Sequence, residues 1–289
     1  MLSQLRILEP HPGILAFYDG RVEGHRFADG PNWVDDGALS LGIASYALIA
    51  GAQAIVYDTH VSVPHGRFIR NALAARGVTD IRVVLSHWHL DHVAGTEAFA
   101  DCQVIANART LAHLTTRKAA IEAGTDHGLP AIKPLILPVS VFEGSLKLDL
   151  GGEGVELIGA NIHSDDATVL WLPERRILLA GDTVEDCVTY VGAPEEFNIH
   201  LADLTRLQAL GAGWVLPNHG AAEVIAAGGY GPGLLAATAD YIRHLQKDDP
   251  RQMAEIIEPW LNDGTLRYFE PYEAVHSQNR ARVQAMQQN

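Results

Sequence analysis

Residues 87–92 read His-Trp-His-Leu-Asp-His, four metal-ligating side chains within six positions, directly after the β-branched run Ile81 to Leu85. In an extended segment side chains alternate, so His87 and His89 point to the same side. A turn through Leu90 then brings Asp91 and His92 to a second point nearby. This spacing suits two metals, and it differs from the His-x-x-x-His pattern that places two ligands on one helical face. By the same alternation Trp88 points away from the donors and packs.

Three further donors stand where apolar runs end: His163 after Val155 to Ala160, Asp182 after Ile177 to Ala180, and His219 after Trp214 to Leu216. Loops held at strand ends by a rigid sheet are where functional side chains gather. Imidazole nitrogen and carboxylate oxygen bind zinc at about 2.0–2.2 Å. The expected metal ligands are therefore His87, His89, Asp91, His92, His163, Asp182 and His219, holding two Zn2+ ions, with Fe, Mn or Co suited to the same donors. His11, His25, His60, His65, His113, His127, His200, His244 and His276 are read as structural. Asp58 is read as a carboxylate that fixes a loop or a ligand histidine.

Around these donors, Ile14 to Tyr18, Tyr46 to Ile49 and Ala54 to Tyr57 are short apolar runs broken by Gly, Asp and Pro, which predicts antiparallel strands. His65 to Arg76 and Thr110 to Ala123 carry helical spacing, and Gly124 to Pro138, with three prolines, reads as a loop. Strands are predicted again at Val141 to Leu150, Val155 to Ile158, Thr168 to Leu172, Ile177 to Ala180 and Trp214 to Leu216. Helices are predicted near Leu201 to Leu210 and Leu234 to Gln246. The pattern recurs in two halves without a linker, so residues 1–289 are expected to form one α/β domain of two packed sheets with helices outside. With 47% hydrophobic and 19% charged residues the chain has material for a sizeable core. Gly228 to Gly233 lacks the spacing and the Lys-Ser/Thr of a phosphate loop and reads as a turn.

A net charge of -14 and the lack of any dense run among 21 basic residues argue against a nucleic-acid partner. Two cysteines, Cys102 and Cys187, exclude a disulfide framework and a Cys-rich zinc site. Met1 to Gly13 lacks the signal-peptide pattern, and no segment has the roughly 18 apolar residues that span a bilayer. The expectation is a cytoplasmic protein acting on a small molecule without a membrane partner, with homo-oligomerisation left open.

His87-x-His89-x-Asp91-His92, His163-Ser164, Gly181-Asp182-Thr183 and Pro217-Asn218-His219-Gly220, preceded by Asp58 closing an apolar strand, resemble the five ordered motifs of the metallo-β-lactamase superfamily. The resemblance implies a four-layer αβ/βα sandwich with the metals at one edge. It also implies His87, His89 and His163 on one metal, Asp91, His92 and His219 on the other, and Asp182 bridging. Residues 110–138 fall where members of the family place substrate-covering insertions, although a helix packed on the sandwich surface fits them equally. His163-Ser164-Asp165-Asp166 departs from the usual glycine-containing third motif and is expected to add negative charge near the metals. His89 stands where diiron redox members carry Glu, which favours hydrolysis.

Two divalent ions lower the pKa of a bridging water and polarise a carbonyl, so the resemblance implies hydrolysis of a lactone, ester or lactam, with Asp91 orienting the hydroxide and relaying a proton. After Asp182 the chain reads Thr183-Val184-Glu185-Asp186-Cys187, two acids where β-lactamases of this fold use a basic side chain to hold the drug's carboxylate. That predicts a neutral substrate. Tyr190 is a candidate hydrogen-bond donor to the developing oxyanion. A glyoxalase II-like thioester hydrolase is the alternative, ranked lower because only Arg117, Lys118 and Lys133 stand near the motifs as cations. A binding module that kept the fold and lost catalysis, and a mononuclear-iron persulfide oxidase, are the readings from other classes.

Overall fold

The computed structural model describes residues 2–288. Seven strands form one sheet in chain order: β1 (Arg6–His11), β2 (Ile14–Asp19), β3 (Ile43–Ala50), β4 (Gln53–Tyr57), β5 (Asp80–Val84), β6 (Gln103–Asn107) and β7 (Ser140–Phe142). The strands from β1 to β4 pair antiparallel. From β4 to β7 the pairing is parallel, which requires a crossover at each step. Helix α1 (Val63–Ala74) supplies the first, the segment with the single turn α2 (Leu90–Val93) the second, and α3 (Ala108–Ala123) the third.

Alternation in the strands feeds two cores. Ile14, Ala16 and Tyr18 of β2 point into the space between the sheets, as do Tyr46, Leu48, Ile55 and Tyr57. Leu15, Phe17, Ala47, Ala54 and Val56 point to the other face, where Ile69 and Leu73 of α1 and Leu114 and Ile121 of α3 cover them. Burial of each such Leu, Ile or Phe contributes about 1.5–3 kcal/mol. With both faces covered, these strands read as continuous apolar runs.

The second sheet has the order β12-β11-β10-β9-β8, built from β8 (Ser145–Leu150), β9 (Glu153–Gly159), β10 (Thr168–Leu172), β11 (Ile177–Gly181) and β12 (Trp214–Pro217). Its one parallel pair, β11 with β12, is bridged by α4 (Phe197–Gln208). The outer layer on this side continues with α5 (Ala222–Ala226), α6 (Gly233–Gln246), α7 (Met253–Asn262) and α8 (Tyr272–Gln287). The result is the expected αβ/βα sandwich.

The single strand expected over Val141 to Leu150 is two strands in different sheets. Glu143-Gly144 breaks it, with Gly144 at φ +66°, a left-handed conformation that turns the chain from one sheet to the other. Five elements were not expected: β1, β6, α5, α7 and α8. β1 lies at a sheet edge with most side chains half-exposed or exposed, and α8 is rich in Gln, Asn and Arg, so neither shows a clear apolar period.

Candidate metal centre

Side chains from both sheets meet where β4, β5, β11 and β12 end. After β5 the backbone N–H of Ser86 donates to Asp58 Oδ1 at 2.7 Å, which holds the chain extended through His87 and His89. The turn α2 starts at Leu90 and carries Asp91 and His92 to a second point. From the other sheet, β11 delivers Asp182 and its parallel neighbour β12 delivers His219, with Asn218 N–H donating to the Gly181 carbonyl at 2.9 Å. His163, in the left-handed region at φ +68°, occupies the hairpin between β9 and β10. The close approach of the sheets depends on Gly181: a Cβ there would lie 2.9 Å from the Tyr57 hydroxyl and 3.2 Å from Ser86 Cβ.

All seven expected donors converge. His89 Nδ1 lies 2.9 Å from both His87 Nε2 and His163 Nε2. His219 Nε2 and His92 Nε2 lie 3.3 and 3.5 Å from the Asp91 carboxylate. Asp182 Oδ2 sits between the sets, 3.0 Å from His92 Nε2, 3.5 Å from His219 Nε2, 3.6 Å from His163 Nε2 and 3.7 Å from His87 Nε2. Ligand atoms around a tetrahedral zinc with bonds near 2.0–2.1 Å stand about 3.3 Å apart, so these separations fit two sites.

The far nitrogens of the rings confirm their orientation. His87 Nδ1 meets Ser86 Oγ at 2.8 Å, His163 Nδ1 the Tyr190 carbonyl at 3.1 Å, His92 Nδ1 Asp58 Oδ2 at 3.0 Å, and His219 Nδ1 the Gly42 carbonyl at 2.8 Å. A partner on the far nitrogen leaves the other ring nitrogen aimed inward, the usual arrangement of ligating histidines. Asp182 Oδ1 is buried without a hydrogen-bond partner, an orphan oxygen that a cation would satisfy. The residues therefore fit a divalent metal centre.

Burial holds the His87 and His89 imidazoles well below their ordinary pKa and brings His163 down to about 4, which keeps them neutral and ready to ligate. Burial also opposes charge on His92 and His219, but Asp182 and the neighbouring carboxylates outweigh it and raise both. Burial pushes Glu185 up to about 8, and the Asp182 charge adds to the shift.

A cavity of about 280 Å³ opens over the donors, lined by His89, Asp91, His163, Asp182 and His219 on its floor and by Trp33, Leu41, Leu90 and Val275 among its walls. Of the two acids after Asp182, only Glu185 lines it. Asp186 turns away, accepting from the Tyr230 hydroxyl and the Arg267 backbone at 2.7 and 2.8 Å. The Asp165-Asp166 pair also departs from expectation. Asp165 pairs with His113 at 2.7 Å and with Arg109 on α3, and Asp166 accepts from Ser164, so this charge is taken up away from the donors.

Tyr190 lines the cavity from the loop after β11, its ring centroid 5.7 Å from that of His163. In residues 110–138 the helix packs on the sandwich, while His127 in the loop after it lines the cavity and Pro130 accepts from the Trp33 indole at 3.0 Å. His127, Trp33 and the α8 residues Val275 and Gln278 were not foreseen as site residues, because each comes from a segment without a metal-ligand spacing. Asn218 was quoted only as part of a motif; its side chain donates to Asp58 Oδ2 at 2.6 Å.

The sequence profile of the metallo-beta-lactamase superfamily matches residues 40–238. Among curated proteins, a beta-lactamase-like protein 2 homolog of Caenorhabditis elegans is 24% identical over 183 residues, 62% of this chain and 56% of that protein. A hydroxyacylglutathione hydrolase of Rhodobacter capsulatus is 29% identical over 153 residues, 52% of each chain. The chain thus spans about half the length of the curated relatives it matches. Among solved structures, a metallo-beta-lactamase from Pontibacter korlensis superposes with a TM-score of 0.62 at 17% identity, over 83% of this chain and 99% of that one, a likeness of fold.

Proposed function

The chain belongs to the metallo-beta-lactamase superfamily, and from that premise we propose that it is a metal-dependent hydrolase that cleaves an uncharged cyclic or activated acyl bond, a lactone or ester, with two zinc ions. His87, His89 and His163 would hold the first ion and Asp91, His92 and His219 the second, with Asp182 available to both. The observation that supports the substrate class is the lining of the cavity: Glu185 and Asp36 stand in it, and no lysine or arginine does. A carboxylate beside the scissile bond would find no lysine or arginine there to hold it.

Bound divalent ions supply Lewis acidity and lower the pKa of water. The chain's own groups do the rest. Asp91, more open than Asp182, accepts the proton released as a water oxygen bonds to the acyl carbon, and delivers it to the leaving oxygen as the acyl bond breaks. Tyr190 lines the cavity, and its phenol would donate to the carbonyl oxygen as charge develops on it. The apolar walls exclude bulk water and accept the acyl portion. With both cysteines free, a reducing cytoplasm suits the protein.

The likeness to the Rhodobacter capsulatus hydroxyacylglutathione hydrolase supports thioester cleavage as a second reading. Turnover of lactones, esters, thioesters and β-lactams by zinc-loaded and metal-free protein, with metal content measured in parallel, tests both. Preferred turnover of a lactone or ester with close to two ions per chain is expected. A single ion, or preferred turnover of a β-lactam, would overturn the proposal.

A further inference from the structure

Arg282 is the only arginine among the described residues whose guanidinium makes neither a hydrogen bond nor an ion pair with the protein. It lies on α8, one turn beyond Gln278 and two beyond Val275, both of which line the cavity. Its guanidinium carbon stands 4.2 Å from the centre of the Tyr190 ring, and that ring lines the same cavity beside His163.

The stacking satisfies the flat face of the guanidinium and leaves its five N–H donors without a protein acceptor. The side chain is half-buried, and burial pulls its pKa below the ordinary arginine value, so the charge is held where water screens it less. A planar donor fork fixed by an aromatic ring and left unpaired beside a metal cavity is preorganised for a carboxylate. The cavity lining itself holds no lysine or arginine. Arg282 thus offers an unpaired guanidinium against a ring that lines the cavity.

We propose that Arg282, stacked on Tyr190, recognises a carboxylate at the end of the substrate remote from its scissile bond. The proposal rests on the acyl-hydrolase reading above and narrows it: the substrate is uncharged at the bond that breaks and anionic at its far end. Arg282 is thereby a specificity-determining residue, and it takes no part in proton transfer.

The test compares matched probes that differ only in the distal group, monomethyl adipate against methyl hexanoate, with zinc-loaded full-length protein. The ratio of kcat/KM for the two is expected to favour the adipate at least tenfold, chiefly through KM. Arg282→Ala should lower that ratio at least tenfold. Arg282→Lys, which keeps the charge without the planar fork, should retain part of it, which separates loss of recognition from loss of fold. Calorimetric binding of the amides 5-carbamoylpentanoate and hexanamide reads the same preference without turnover. A native protein with no preference in either assay overturns the proposal. So does a preference that survives Arg282→Ala, since the carboxylate would then sit elsewhere. A binding preference that Arg282→Ala abolishes, without hydrolysis of either ester, would remove the acyl-hydrolase reading and leave the carboxylate recognition standing.

Discussion

Asp58 Oδ2 lies 3.0 Å from His92 Nδ1, and the same carboxylate takes the Ser86 backbone N–H on its other oxygen at 2.7 Å. One residue, itself at φ +65°, thus aligns His92 and the strand end that carries His87 and His89. Replacing it by alanine leaves the Ser86 N–H buried and unpaired, at about 1–3 kcal/mol, and takes from Asn218 Nδ2 one of its two partners. Asp58→Ala is expected to weaken zinc binding about 10- to 100-fold. Competition with a chromogenic chelator reads this directly, and undiminished affinity would remove Asp58 from the support of the centre.

Asp91 differs from Asp182 in exposure: its side chain is 18% exposed against 4%. Both line the cavity, and the more exposed carboxylate is the better placed to exchange protons with substrate. Asp91→Asn is expected to fold and to lose about 100-fold or more in kcat. Near-native turnover by a well-folded variant would exclude Asp91 as the proton carrier.

Gly181 is the point of contact between the sheets beneath the donors. Alanine there adds a methyl against the Tyr57 hydroxyl and Ser86 at a backbone φ of +57°. Gly181→Ala should cost about 1–3 kcal/mol of stability and displace Asp182, so that thermal melting and metal content fall together. Unaltered metal content in a destabilised variant would show that the sheets can separate without moving the ligand.

The lack of a lysine or arginine in the cavity lining sets the last expectation. A carbapenem bears its carboxylate beside the bond that breaks, where no such side chain stands to hold it. An uncharged acyl lactone should therefore show the higher kcat/KM under the same zinc and pH. The reverse order would require a cation to enter the cavity from elsewhere, and would favour a lactam substrate.

The metal centre was legible in the chain because its donors follow local rules. His87 and His89 share a side by strand alternation, a turn at Leu90 separates Asp91 and His92, and His163, Asp182 and His219 each follow an apolar run. The resemblance of those motifs carried the sandwich with them. Short-range spacing said nothing, however, of what faces the centre from far along the chain. Glu185 and Asp186 are adjacent in sequence, yet one lines the cavity and the other is drawn away by Tyr230 and Arg267. Asp165 is claimed by His113 and Arg109, and α8, too polar to show a helical apolar stripe, places Val275, Gln278 and Arg282 beside residues nearly a hundred positions earlier. Backbone geometry repeats every two or four residues and can be read locally. The partner that each charged side chain finds depends on packing between distant segments, so only the tertiary structure decided the charge and shape around the donors.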